Sequence, residues 1–193
     1  MEIVVNNIIN IFTVIDGKIH ILLKNNKLIK INCNDEIDVI NKKYIEENLN
    51  IENLNLKQFY TFSEKKDDKL IINILFMDIV NYNSIKLDND LSLIEFSKLN
   101  INERYIDKCL EYLRKELVLN STIKKLYPDE FSLPEIQKIY EDILEKKYDR
   151  RNFRKRLIKL DVIECLEKLS SNKNGRPAKL YKFKDIVEDK CLF

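Results

Sequence analysis

The 193-residue sequence has no tryptophan, two glycines, three prolines and one histidine. Each scarcity closes off a class of chemistry. The lone histidine, His20, sits in an alternating apolar run, the pattern of one face of a half-exposed strand. With no second histidine and no Cys–His or Ser–His–Asp set, an activated nucleophile has nothing to activate it. The four cysteines, Cys33, Cys109, Cys165 and Cys191, include no C-x-x-C pair, which excludes a zinc knuckle and a dithiol redox centre. Reduced, mostly buried thiols are expected instead. The longest apolar stretch, residues 70–80, is broken by Asn73 and Asp78 and is too short to span a bilayer. Met1-Glu2-Ile3 lacks the cationic segment of a secretory signal, so a cytoplasmic protein without membrane attachment is expected.

Charge is abundant and unevenly placed. Residues 101–193 hold 22 Lys and Arg against 17 Asp and Glu, and the first hundred residues hold 12 against 15, so the halves carry +5 and −3. Within residues 146–184 the ratio is 14 basic to 4 acidic. That concentration is the electrostatic footprint of a face that binds a polyanion.

The first half reads as a sheet with one helix. Residues 8–15 and 18–24 alternate around Asp16-Gly17, a pair suited to the positive φ angles of a type I′ hairpin. Asn25-Asn26 makes a second turn into residues 27–32. Residues 35–48 read as a helix, residues 56–62 and 70–80 as strands around a polar loop at 63–69, and residues 93–96 as a closing strand. From residue 102 to 119 the period changes, with Ile106, Cys109, Leu110, Leu113, Leu117 and Val118 at helical spacing, and a connecting helix is predicted.

In the second half, Ser132-Leu133-Pro134-Glu135 is a capping box that starts a helix with Ile136, Ile139, Tyr140, Ile143 and Leu144 on its buried stripe. Asp149 then caps a second helix over residues 150–160, in which Phe153, Leu157 and Leu160 share one face. At about 100° per residue, Arg151, Asn152, Lys155 and Lys159 lie opposite that face, with Arg150, Arg154 and Arg156 on its flanks. Guanidinium groups suit guanine edges or phosphate, and an Asn amide suits adenine. Residues 162–169 and 179–183 alternate as a β-hairpin whose tip, Lys173-Asn174-Gly175-Arg176-Pro177, puts a cation on a stiffened loop. Helix, turn, basic helix and hairpin follow in the order of a winged helix-turn-helix.

The blocks L-Y-P-D-E-F-S-L-P-E-I-Q-K-I-Y, D-R-R-N-F-R-K-R-L and G-R-P-A-K-L-Y-K-F, between Leu126 and Phe183, resemble the C-terminal winged helix of the Nudix-related transcriptional regulators of NrtR type. The run Ile106 to Arg114 is similar to the connecting helix of that family, with Asn102-Glu103 where an Asp-His pair is usual. The resemblance implies an α/β plus α+β architecture, a truncated Nudix-like sandwich followed by a winged helix. The expected domains are a degenerate Nudix-like domain at 1–100, a connecting helix at 101–120 and a DNA-binding domain at 121–193. It also implies a homodimer on a palindromic operator in double-stranded DNA, with ADP-ribose, a related nucleotide or a phosphosugar as effector and no resident cofactor. The DNA-contacting role passes to Arg150, Arg151, Asn152, Arg154, Lys155 and Arg176, and the charge pattern adds Lys159 and Lys179.

The first half departs from the Nudix box. With Lys43 at the arginine of the box, Ile29 stands at its glycine, Asp35 at its first glutamate and Asn50 at its second glycine. Tyr44 and Asn48 stand where metal-binding glutamates belong, and Glu47 is the one matching carboxylate. Mg²⁺ wants several hard oxygen ligands on one helix face, and one carboxylate does not hold it. The expected function is therefore that of a dimeric bacterial transcriptional regulator, a repressor by resemblance, without catalytic residues or a metal. The alternatives are a Nudix-type hydrolase of nucleoside diphosphate derivatives with an appended winged helix, and a winged helix that binds protein.

Overall fold

The computed structural model describes residues 2–49, 51, 54–99, 105–127, 130–170, 177–185 and 191. The chain divides into two compact units, Met1–Thr13 with His20–Cys109, and Val14–Ile19 with Leu110–Phe193.

The first unit is built on strand β1 (Glu2–Ile15), followed by β2 (Lys18–Lys24), β3 (Ile29–Asn32), helix α1 (Ile37–Asn48), β4 (Lys57–Lys66), β5 (Lys69–Ile79) and β6 (Leu91–Glu95). The sheet order is β4-β5-β1-β2-β6, and β3 pairs with the early part of β1, from Asn6↔Asn32 to Ile9↔Ile29. β1 begins well before the expected residue 8 because it runs parallel to β5, from Glu2↔Lys69 to Phe12↔Ile79. A parallel partner arrives from far along the chain and leaves no local turn signal.

Three two-residue turns take the left-handed conformation that type I′ hairpins need: Asp16-Gly17 (φ 50° and 73°), Asn25-Asn26 (51° and 57°) and Asp67-Asp68 (49° and 58°). The third replaces the loop expected over residues 63–69. Its flanks are strand, with Glu64↔Ile71 and Lys66↔Lys69 in register. Exposed strand ends carry charge readily, so polarity there reads as loop in the sequence.

Alternation along β1 sends Ile9 and Ile11 into a core with Leu22, Ile29, Ile31, Leu49 and Leu91, against which Ile40, Tyr44 and Ile45 of α1 pack. Asn7, fully buried in the same alternation, donates from Nδ2 to Oδ1 of Asn41 in α1 at 2.7 Å. Asn6 pairs across the sheet with Asn73, its partner in register, at 3.1 Å. Burying amides costs free energy unless they bond, and these pairings offset part of that cost, Asn7 Oδ1 being left without a partner among the described residues, while fixing helix and strand registers.

Helix α2 (Ile106–Leu117) carries the predicted helical stripe, with Cys109, Leu113 and Leu117 buried. Burial pushes the Cys109 thiol up to about 12. Only this cysteine is buried: Cys33 is half-buried, and Cys165 and Cys191 are exposed, contrary to the expectation of mostly buried thiols. Cys165 belongs to a strand at the edge of a small sheet, where few neighbours cover it.

In the second unit α3 (Asn120–Leu126), β7 (Phe131–Ser132), α4 (Leu133–Leu144), α5 (Arg150–Lys159), β8 (Ile163–Leu169) and β9 (Lys179–Phe183) follow, with the strands in order β7-β9-β8. α3 and β7 escape sequence reading because a seven-residue helix and a two-residue strand are too short to show a period. They matter to the packing all the same. Ile123 and Leu126 are buried, and the Phe131 ring meets that of Phe183 at a tilt, centroids 4.8 Å apart. Among the described residues, no helix is long and apolar enough to cross a membrane.

Candidate nucleic-acid interface

α4 starts where the capping box places it: the Ser132 N–H donates to Oε2 of Glu135 at 2.6 Å. Ile136, Ile139, Tyr140 and Ile143 are buried as predicted, and Leu144 is half-buried. The helix ends at Glu145, whose φ of 51° turns the chain. Arg114 reaches its last turn, donating from Nε to the Ile143 carbonyl at 2.8 Å and pairing with Glu145 at 2.6 Å. A guanidinium at a helix carboxyl end satisfies orphan carbonyls and opposes the helix dipole.

The turn into α5 is organised by one carboxylate. Glu141 accepts from Gln137 Nε2 at 2.8 Å, from the Tyr148 N–H at 2.9 Å and from Lys147 Nζ at 3.0 Å. These bonds, that from Gln137 foremost, hold its carboxyl down at about 2. Gln137 Nε2 also donates to the Tyr148 carbonyl at 2.8 Å. Sequence reading passed over Glu141; its spacing from Gln137 at i+4 was the available signal.

Asp149 caps α5, accepting from the Asn152 N–H at 3.0 Å. Phe153 and Leu157 are buried, with Phe153 between Tyr140 at 5.9 Å and Tyr148 at 5.8 Å. This aromatic clamp fixes the rotation of the helix about its axis. Arg150, Arg151, Asn152, Arg154, Lys155 and Lys159 are consequently all exposed. Ile158 is exposed too, at 49%, and stands off the apolar stripe among these cations.

Two sets stand out among the basic residues. Lys147 is paired with Glu141, Lys168 with Glu130, Lys182 with Glu164 and Lys184 with Asp161. Among the described residues, Arg150, Arg151, Arg154, Lys155, Lys159 and Lys179 form no such pair. Their charge is uncommitted and turned to solvent. Lys179 opens β9 at the foot of the hairpin, where the Ser170 N–H donates to the Ala178 carbonyl at 2.8 Å and the Ala178 N–H to Ser170 Oγ at 3.0 Å. The predicted tip, including Lys173 and Arg176, lies outside the described residues.

The first unit holds a cleft of about 360 Å³. Phe62 and Tyr105, stacked at 5.8 Å, line it together with Lys27, Lys30, Glu64 and Asn73. The positions aligned with the Nudix box lie elsewhere: Ile29 is buried in β3, Asp35, Lys43 and Glu47 are exposed, and Tyr44 and Asn48 are half-buried, while Asn50 is outside the described residues. Among the described residues no three His, Cys, Asp or Glu side chains gather to hold a metal ion. The donor set does not fit Mg²⁺, because a phenol and an amide stand beside the single carboxylate.

The family model of the NrtR DNA-binding winged helix domain matches residues 123–183. No curated protein matches the chain. Among solved structures, the chain is similar to Shewanella oneidensis NrtR complexed with a 27mer DNA, at 16% identity and a TM-score of 0.73 over 93% of each chain. It is also similar to a MutT/nudix family protein from Enterococcus faecalis, at 13% identity and a TM-score of 0.64, over 95% of this chain and 89% of that one. Residues 123–183 are thus a winged helix domain of the NrtR DNA-binding type, carried in a chain that has the fold of NrtR, the Nudix-like sandwich with a winged helix expected from the sequence.

Proposed function

We propose that this chain is a sequence-specific regulator of transcription that acts in the cytoplasm as a homodimer on a palindromic DNA operator, with repression as its mode. The observation that carries the reading is the set of uncommitted cations on α5. Five of them project from a helix whose rotation is fixed by Phe153, on the domain type that the family model names as DNA-binding. Arg150, Arg151, Arg154, Lys155, Lys159 and, at the start of β9, Lys179 supply phosphate and base contacts, and Asn152 adds an amide that pairs with adenine. Arg176 joins them by the family resemblance. The likeness to NrtR, whose structure was solved with DNA, supports the same partner here.

The first unit serves dimerisation and effector sensing without hydrolysis. Its cleft brings a stacked aromatic pair and two ammonium groups together, a chemistry suited to ADP-ribose, a related nucleotide or a phosphosugar. The donor set around α1 argues against the hydrolase reading.

Selection of bound duplexes from a random library tests the proposal. The expected product is an inverted repeat, bound with an affinity that falls steeply with salt. Recovery of no sequence preference, or binding indifferent to salt, refutes it. Mg²⁺-dependent cleavage of ADP-ribose by the purified protein refutes the assignment of the first unit.

A further inference from the structure

Tyr44, Glu47 and Asn48 stand on α1 at the spacing i, i+3, i+4, where a Nudix-type metal ion needs carboxylates, and a cation from the protein itself meets the first and the last of them. Lys24, the last residue of β2, donates from Nζ to Oδ1 of Asn48 at 2.7 Å and holds its ammonium 5.6 Å from the centre of the Tyr44 ring. The Asn48 amide is oriented for this role. Its Nδ2 donates to the Tyr44 carbonyl at 3.1 Å, which leaves Oδ1 to face the lysine. α1 has no basic residue in its last turn, so Lys24 also brings positive charge to the carbonyl end of that helix.

We propose that the Lys24 ammonium takes the place of a divalent metal ion in the first unit. The carboxylates that would hold a metal have become an aromatic face and an amide oxygen, both ligands for an ammonium. A divalent ion brought to the same face meets a like charge within a few ångströms, which no single carboxylate offsets. The unit is therefore closed to metal by its own side chain, independently of what the winged helix binds.

Mn²⁺ titration of the full chain, followed by calorimetry and by electron paramagnetic resonance, tests this. The wild-type protein is expected to show no saturable site. Tyr44→Glu/Asn48→Glu, which restores three carboxylates but keeps Lys24, is expected to bind Mn²⁺ at least about tenfold more weakly than the same variant carrying Lys24→Met. A wild-type site tighter than about 100 µM overturns the proposal, as does equal affinity in the two variants or a folded triple variant without a site. Lys24→Met alone keeps the idea testable if the triple variant does not fold: it is expected to melt below the wild type, and EDTA is expected to leave the wild-type melting temperature unchanged. A chelator that lowers the wild-type melting temperature overturns the proposal.

Discussion

The backbone N–H of Tyr148 donates to Oε1 of Glu141 at 2.9 Å, so the residue that begins the approach to α5 is tied to the last turns of α4. With Gln137 and Lys147 on the same carboxylate, ionised Glu141 ties together the turn between the two helices. The carboxyl is held at about 2, below the ordinary carboxylate range. A depressed folded value stabilises the folded state fully above the unfolded value and loses that contribution as pH falls toward the folded one. Glu141→Gln is therefore expected to melt below the wild type at pH 7, with the gap closing between about pH 4.5 and 2. Thermal melts by circular dichroism across that range check it; a gap constant with pH contradicts the role.

Asp149 holds the first turn of α5 through the Asn152 N–H. Asp149→Ala is expected to cost about 1 kcal/mol of stability, and Asp149→Ser much less, because a hydroxyl also accepts that bond. Urea unfolding measures both, and equal losses would show that the cap bond is not the cause.

Much of this was legible in the sequence because the elements that carry function are local. The capping box at Ser132 and Glu135, the Asp149 cap and the basic helix each need only neighbouring residues, and each appears where the spacing puts it. The same holds for Asp16-Gly17 and Asn25-Asn26. What stayed hidden depends on distant partners. β7 is a strand only because Phe131 meets Tyr181 fifty residues on, and β1 extends to Glu2 only because β5 lies beside it. Lys24 is a polar strand end in the sequence, and nothing around it announces Asn48. Nothing around residue 114 announces Ile143 and Glu145 either.

Arg151 is exposed on the face of α5 opposite Phe153 and Leu157, with no acidic partner among the described residues. If its guanidinium meets a base edge, Arg151→Ala costs about 1 to 3 kcal/mol of binding and relaxes preference at one position of the selected site. Competition binding against single-base variants of that site reads the effect. Uniform weakening across all of them assigns Arg151 to phosphate instead.

Lys179 and Lys182 sit three residues apart on β9 and are expected to behave differently. Lys182 faces Glu164 across the hairpin at 2.6 Å, in register, whereas Lys179 has no carboxylate partner among the described residues. A paired surface ammonium has part of its field cancelled locally, and its pair contributes little stability, so removing it changes neither DNA affinity nor folding much. An unpaired one is available to displace counterions from a phosphate. Lys179→Ala should therefore weaken binding to every duplex alike and lower the slope of log affinity against log salt by about 1, with Lys182→Ala leaving that slope unchanged. Fluorescence anisotropy at a series of salt concentrations separates the two. A loss of sequence preference in Lys179→Ala would mean that its ammonium reads a base edge, and an equal loss of slope in Lys182→Ala would mean that the ion pair with Glu164 opens when DNA binds.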